Sequence, residues 1–198
     1  MSAHPEIETL LERVARADAV GRASGHAAVV LIDGPAGAGK STLADLLVSR
    51  WPGGAEPTLV RMDDLYPGWG GLDEGSADLG TELLAPRRAG RTARWQRYSW
   101  TLGRLDEWTV VDGSRPLVVE GCGTLSRANA PLADLRIWLT AEDDLRKERA
   151  LRRDHGGFDA HWDHWQAQFD DYLARETPIE QADVVLDVTD WPLVARDR

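Results

Sequence analysis

Apolar residues along this chain fall into two rhythms. Ile7, Leu10, Leu11, Val14 and Ala17 recur at helical spacing behind Pro5, a residue suited to a first turn, and predict an amphipathic helix over residues 5–20. Ala27 to Ile32 is instead a short unbroken apolar run. Four more short runs follow, β-branched or bounded by polar residues: Thr58 to Met62, Pro116 to Val119, Leu135 to Thr140 and Asp183 to Val188. Helical patterns separate them. Strands too apolar to face water, alternating with helices, predict a mostly parallel five-stranded sheet covered on both faces, a three-layer α/β/α architecture. Pro67 to Gly80, which carries Gly68, Gly70, Gly71, Gly75 and Gly80, reads as a mobile loop.

Between the first apolar run and a helical run from Thr42 to Arg50 stands Gly34-Pro35-Ala36-Gly37-Ala38-Gly39-Lys40-Ser41, a complete G-x-x-x-x-G-K-[ST] phosphate loop of the Walker A type. Its glycines let successive backbone N–H groups turn toward a phosphate chain, and the helix that opens there aims its positive end at the same charge. Lys40 adds a mobile cation for the β and γ phosphates. The Ser41 hydroxyl is placed to ligate Mg²⁺, with Thr42 beside it. The expected ligand is a nucleoside triphosphate, and the expected cofactors are ATP and Mg²⁺. This phosphate loop gives the architecture its name, the P-loop NTPase fold.

Composition narrows the partners. The 198 residues suit one domain, taken here as 1–198, with its core built around the loop. Lys and Arg total 23 against 33 Asp and Glu, a formal charge of −10, which repels nucleic acid and anionic membranes as main partners. Cys122 is the single cysteine, so no intrachain disulfide can form. With no long apolar run, the expectation is a soluble, cytoplasmic protein acting on a small molecule.

In a parallel sheet, ligands collect beyond the carboxyl ends of the strands. Glu120 ends Leu117-Val118-Val119 and reads as a Walker B type carboxylate directed at the Mg²⁺ held by Ser41. Asp63 ends the Thr58 run, where a carboxylate can orient an attacking hydroxyl and take its proton. Asp64 competes for that role or contacts the acceptor, because residues at a strand tip can turn either way. Arg146, Arg149 and Arg153 recur on one helix face, and such a stripe can close over phosphates as a lid spanning 142–175. Residues 64–110 form the expected acceptor-binding insertion. They hold a basic stretch from Arg87 to Arg104 interleaved with Trp95, Arg97, Tyr98 and Trp100, whose rings could stack on an acceptor and whose arginines could hold a phosphate on it. Trp69 is a further stacking candidate among nine tryptophans. Trp162, Trp165, Phe169 and Tyr172 form a stripe expected to pack on the core, and His155, His161 and His164 match no common zinc spacing.

Asp63-Asp64-Leu65-Tyr66 resembles the D-x-[FY]-Y signature of uridine–cytidine kinases and their phosphoribulokinase and pantothenate kinase relatives. Val118-Val119-Glu120-Gly121 resembles their second acidic motif, Asp144 to Asp154 their D-x-R-x-x-R-x-x-x-R-D lid helix, and Ala182-Asp183-Val184-Val185 their last strand. The resemblance spans ordered motifs over roughly residues 27–188. It implies that Asp63 is the base, Tyr66 a substrate contact, Glu120 a metal or water ligand, and Arg149 and Arg153 phosphate clamps. Two departures concern the substrate: Tyr98-Ser99-Trp100 stands where the family has Y-D-F, and His155-Gly156-Gly157-Phe158 replaces E-R-G-R. The expected activity is transfer of the γ-phosphoryl of ATP to a hydroxyl acceptor, a nucleoside by resemblance. The alternatives are a nucleotide, coenzyme-precursor or antibiotic kinase with the same machinery, or a nucleotide-dependent switch or assembly ATPase.

Overall fold

The computed structural model describes residues 5–154 and 156–190, so His155 lies outside the described residues. In chain order the helices are α1 (Pro5–Ala23), α2 (Lys40–Ser49), α3 (Leu72–Asp78), α4 (Ala85–Arg88), α5 (Asp143–Arg153), α6 (Trp162–Glu176) and α7 (Pro178–Gln181). The strands are β1 (Val29–Asp33), β2 (Thr58–Arg61), β3 (Ala93–Ser99), β4 (Arg104–Val111), β5 (Leu117–Glu120), β6 (Leu135–Thr140) and β7 (Val184–Asp187). Five strands form one parallel sheet in the order β2-β5-β1-β6-β7, while β3 and β4 make a separate antiparallel hairpin.

Burial on both faces explains why the central strands read as unbroken apolar runs. Val29 and Leu31 of β1 face a core shared with Val60, Val119, Trp138, Phe169 and Tyr172. Val30 and Ile32 face the opposite core, where α1 supplies Leu10 and Val14 and α2 supplies Leu43 and Leu47. Every residue of β1 is buried, as expected for a strand sandwiched between helical layers. Register then sets the functional edge. Ile32 of β1 and Arg61 of β2 both lie opposite Glu120 of β5, so three strand ends and their following turns open at one level.

The chain departs from expectation between Pro67 and Gly80. Instead of a mobile loop, α3 begins at Leu72 and runs on through a π-helical stretch, Leu79–Leu84, into α4. Its glycines serve close packing: a Cβ on Gly75 would sit 2.8 Å from the Tyr66 ring, and one on Gly80 would strike the Asn129 side-chain oxygen. Leu72, Leu79, Leu83 and Leu84 are buried beneath. The hairpin was also not foreseen: β4 is exposed at every residue from Arg104 to Val110, and its one short apolar stretch, Trp108 to Val111, was passed over.

The α2 helix is held to the sheet mainly by its apolar face, with Leu43 and Leu47 fully buried. Leu43→Ala should therefore lower the unfolding free energy by about 2–5 kcal/mol, read as a fall in the urea midpoint at unchanged slope.

Candidate active site

The phosphate loop leaves β1 and enters α2 through three glycines in the left-handed half of conformational space, Gly34 (φ 145°), Gly37 (φ 79°) and Gly39 (φ 84°). Gly37 is additionally pressed against α5, since a Cβ there would collide with the Arg146 carbonyl oxygen. Lys40 is buried, and its ammonium donates to the carbonyl oxygens of Gly34 (2.8 Å) and Pro35 (2.9 Å). The Ser41 hydroxyl donates to Glu120 Oε1 over 2.9 Å. That same oxygen accepts from Arg61 (3.0 Å), whose other arm reaches Asp45 (2.7 Å). A buried carboxylate beside a hydroxyl is a hard-oxygen pair that suits Mg²⁺, which uses one or two protein oxygens and keeps waters for the rest. No group of three or more His, Cys, Asp or Glu side chains that could hold a metal ion is present among the described residues.

One residue escaped the sequence reading. Asp33 is fully buried, and its carboxylate accepts from the backbone N–H groups of Gly34 (2.7 Å), Gly123 (3.1 Å) and Leu125 (2.8 Å) and from the Tyr172 hydroxyl (2.7 Å). It ties the phosphate loop to the turn after β5 and to α6. Burial raises its pKa above the ordinary aspartate value, opposed by the Leu125, Tyr172 and Gly34 bonds and by the charge of Lys40. A signal was available: an acidic residue closing an otherwise apolar strand must find partners in the fold.

A cavity of about 750 Å³ collects much of the expected site. Ala36, Gly37, Gly39, Lys40, Ser41, Thr42 and Glu120 line it on the phosphate-loop side. Asp63 lines it from the turn after β2, and Arg149, Arg153 and Asp154 from α5 and its end. Asp63 exposes its side chain to the cavity, yet loss of solvation by the surrounding protein raises its pKa, reinforced by the negative charge of Glu120 and offset by Arg153 and Lys40. Arg153 grips Asp154 with two bonds (2.8 and 3.0 Å), and that pairing raises its own pKa. Arg149 donates to the Thr189 carbonyl (3.3 Å). Arg146 turns away from this cavity, bonding Asp143 (2.7 Å) and Gln166 (3.1 Å) beside the Trp162 ring.

Several expected contacts are not brought to the cavity. Asp64 faces the hairpin, where it pairs with Arg97 (3.0 Å), so of the two aspartates at this strand tip only Asp63 lines the cavity. Trp95 is buried in the core, and Tyr98 packs edge-on against Trp100 outside the lining. The basic stretch disperses: Arg87 is buried and holds the Asp112 carbonyl (3.0 Å), Arg88 reaches Asp134 (3.2 Å), and Arg94 covers Trp108. Tyr66 lines the cavity by its ring, with its hydroxyl donated to the Cys122 carbonyl (2.7 Å). Trp100 does reach the lining, and its indole N–H bonds the Asp63 carbonyl (2.7 Å). Gly34 and Pro35 shape the loop by backbone geometry and by the carbonyls that hold Lys40. Trp162, Trp165, Phe169 and Tyr172 are buried along α6.

No protein-family model matches the chain, and no curated protein matches it in sequence. Solved structures do. A possible uridine kinase from Bacillus stearothermophilus superposes with a TM-score of 0.59 at 23% identity, over 90% of this chain and 100% of that one. A "putative fructose transport system kinase" from Silicibacter sp. TM1040 gives 0.58 at 20% identity, over 91% and 98%. The YGR205w protein gives 0.53 at 11%, over 92% and 94%. This chain has the three-layer fold of uridine kinase-like P-loop kinases. At these identities the likeness is one of fold, and the chemistry rests on the residues of the cavity.

The Asp33 network carries a stability prediction. Tyr172→Phe removes one donor and should cost about 1 kcal/mol, whereas Asp33→Ala strands three backbone N–H groups and a hydroxyl and should cost about 3 kcal/mol or more. Urea unfolding of the two variants checks the order.

Proposed function

We propose that the protein is an ATP- and Mg²⁺-dependent phosphotransferase acting on the hydroxyl of a small molecule, with a nucleoside as the first acceptor to test. The observation that carries this reading is the placement of Asp63. Its carboxylate shares one cavity with Lys40 and Ser41, while Arg149 and Arg153 line the same space from α5. A hydrolytic switch needs only a held water, whereas this cavity of about 750 Å³ also has Tyr66, Trp69, Trp100, Phe158 and Trp165 in its lining.

In this reading the loop amides and Lys40 hold the triphosphate, and Arg149 and Arg153 neutralise charge gathering on the transferred group. Ser41 and Glu120 would hold Mg²⁺, which supplies charge neutralisation at the phosphate oxygens. The acceptor oxygen forms a bond to the γ-phosphorus as the bond from that phosphorus to the β–γ bridging oxygen breaks. The hydroxyl proton passes to Asp63. The raised pKa of Asp63 makes its carboxylate a better proton acceptor than an ordinary aspartate's. No helix among the described residues is long and apolar enough to cross a membrane.

Asp63→Asn should retain ATP affinity and lose turnover by about 10²–10⁴-fold. The sign of the pH effect follows from the raised pKa: the proton is retained to higher pH than on an ordinary aspartate, so activity should fall with acidification through a midpoint above the usual carboxylate range. ATP binding measured by calorimetry, together with a pH profile of kcat/KM, tests both. Turnover that survives in the variant would remove Asp63 from the base role.

A further inference from the structure

One cation of the site stands outside the cavity. Lys40, Ser41 and Glu120 line it, whereas Arg61, at the end of β2, reaches Glu120 from outside the lining. The β2–β5 register sets Arg61 opposite Glu120, which brings the two side chains together at the strand ends. The guanidinium fork then joins two carboxylates. One arm donates to Glu120 Oε1 (3.0 Å), the oxygen that also accepts from Ser41, and the other donates to Asp45 (2.7 Å), one turn beyond Ser41 on α2. Glu120 is buried, while the Asp45 side chain is 55% exposed, so water screens the outer pair far more than the inner one.

This placement decides the sign of the field at the metal-binding pair. The cavity lining itself is balanced: Lys40, Arg149 and Arg153 oppose Asp63, Glu120 and Asp154. Arg61 is the further charge, and it lies on the very carboxylate that would hold a metal. Lys40 adds to its effect, because the carbonyl oxygens that hold the ammonium leave its charge uncancelled. A bare divalent cation is therefore repelled at Ser41 and Glu120. A triphosphate is attracted, and it brings enough negative charge to carry the metal in with it.

We propose that Arg61 is a positioning residue that holds Glu120 beside Ser41 and, by its charge, bars bare Mg²⁺ from that pair while admitting the metal together with its nucleotide. It acts through Glu120 and does not line the space where the reacting atoms meet. This deepens the kinase reading and rests on it for Ser41 and Glu120 as the metal's protein ligands.

The test uses the full chain and two binding probes. Mn²⁺ without nucleotide is followed by the electron paramagnetic resonance signal of the free ion, and ATP without metal, in EDTA, by calorimetry. A unit charge within about 4–6 Å moves the ionisation of a carboxylate about tenfold to a thousandfold, and a divalent cation on that carboxylate feels the same force. Arg61→Gln should accordingly bind bare Mn²⁺ about tenfold or more tighter and metal-free ATP about threefold or more weaker. The opposite signs are the signature, since a site merely loosened by the substitution would lose affinity for both. Arg61→Lys keeps the charge and should stay within about threefold of the unaltered protein for both probes. Asp45→Asn, at an exposed position, strips Arg61 of its outer partner and should shift both probes in the reverse direction, which decides the matter should Arg61→Gln fail to fold. Arg115→Gln, paired with Glu56 at the surface, should move neither probe. Loss of affinity for both probes in Arg61→Gln, or no change in Mn²⁺ binding, overturns the inference and leaves the kinase reading standing, as does Arg61→Lys behaving like Arg61→Gln. Tightened Mn²⁺ binding that survives in the double variant Arg61→Gln/Glu120→Gln removes Glu120 from the metal site and overturns the inference. Binding as expected, but no ADP release from ATP and Mg²⁺ with any hydroxyl acceptor, overturns the kinase reading and leaves the role of Arg61 in place.

Discussion

A single buried carboxylate organises the functional edge of this protein. Asp33 closes the central strand and gathers four donors from three parts of the chain: the start of the phosphate loop, the turn after β5, and α6. Burying a charge without such partners would be prohibitive, so the loop, the turn and the helix must be in place together for the strand to end there. The cost of desolvation is visible in the raised pKa of Asp33. What the carboxylate returns is position: Gly34 leads into the loop that holds Lys40, and Gly123 follows Glu120 and Cys122 along the opposite wall of the cavity.

From that anchor the site divides by chemistry. The side nearest α2 concentrates charge, with Lys40, Ser41 and Glu120 facing Arg149 and Arg153. The side nearest α3 and α6 concentrates rings. Asp63 stands where the two meet, and its raised pKa reflects both neighbours: protein that strips its water and the Glu120 charge that opposes its own. The hairpin completes the ring side from outside the main sheet. Although β4 is exposed along most of its length, Trp100 at the hairpin turn reaches back to the backbone of Asp63.

Much of the fold was legible because parallel strands buried on both faces leave unbroken apolar runs, and all five such runs became strands of the sheet. The phosphate loop was legible because its chemistry is local: glycine conformation, a lysine and a hydroxyl at fixed offsets. Less local features were not. Gly75 and Gly80 look like flexibility in a sequence and act as close-packing positions against Tyr66 and Asn129, a distinction that depends on residues brought in from elsewhere. The basic stretch suggested a phosphate site, yet Arg87, Arg88, Arg94 and Arg97 each found a separate partner once the hairpin folded. Asp63 was the preferred base in the sequence and Asp64 its competitor; in the structure Asp64 pairs with Arg97 and Asp63 lines the cavity. Asp33 was passed over because its role exists only when the turn after β5 and the Tyr172 hydroxyl of α6 converge on it.

The contact between Gly37 and the Arg146 carbonyl has a mechanical meaning for the helix that carries Arg149 and Arg153. Pressed backbone to backbone against the loop, α5 cannot slide inward at that point. Arg153 stands seven residues further on, about 10 Å along the helix axis, and Arg149 about half as far. Any rotation about this contact would move Arg153 roughly twice as far as Arg149, so the backbone of the loop sets the point about which the two arginines are placed.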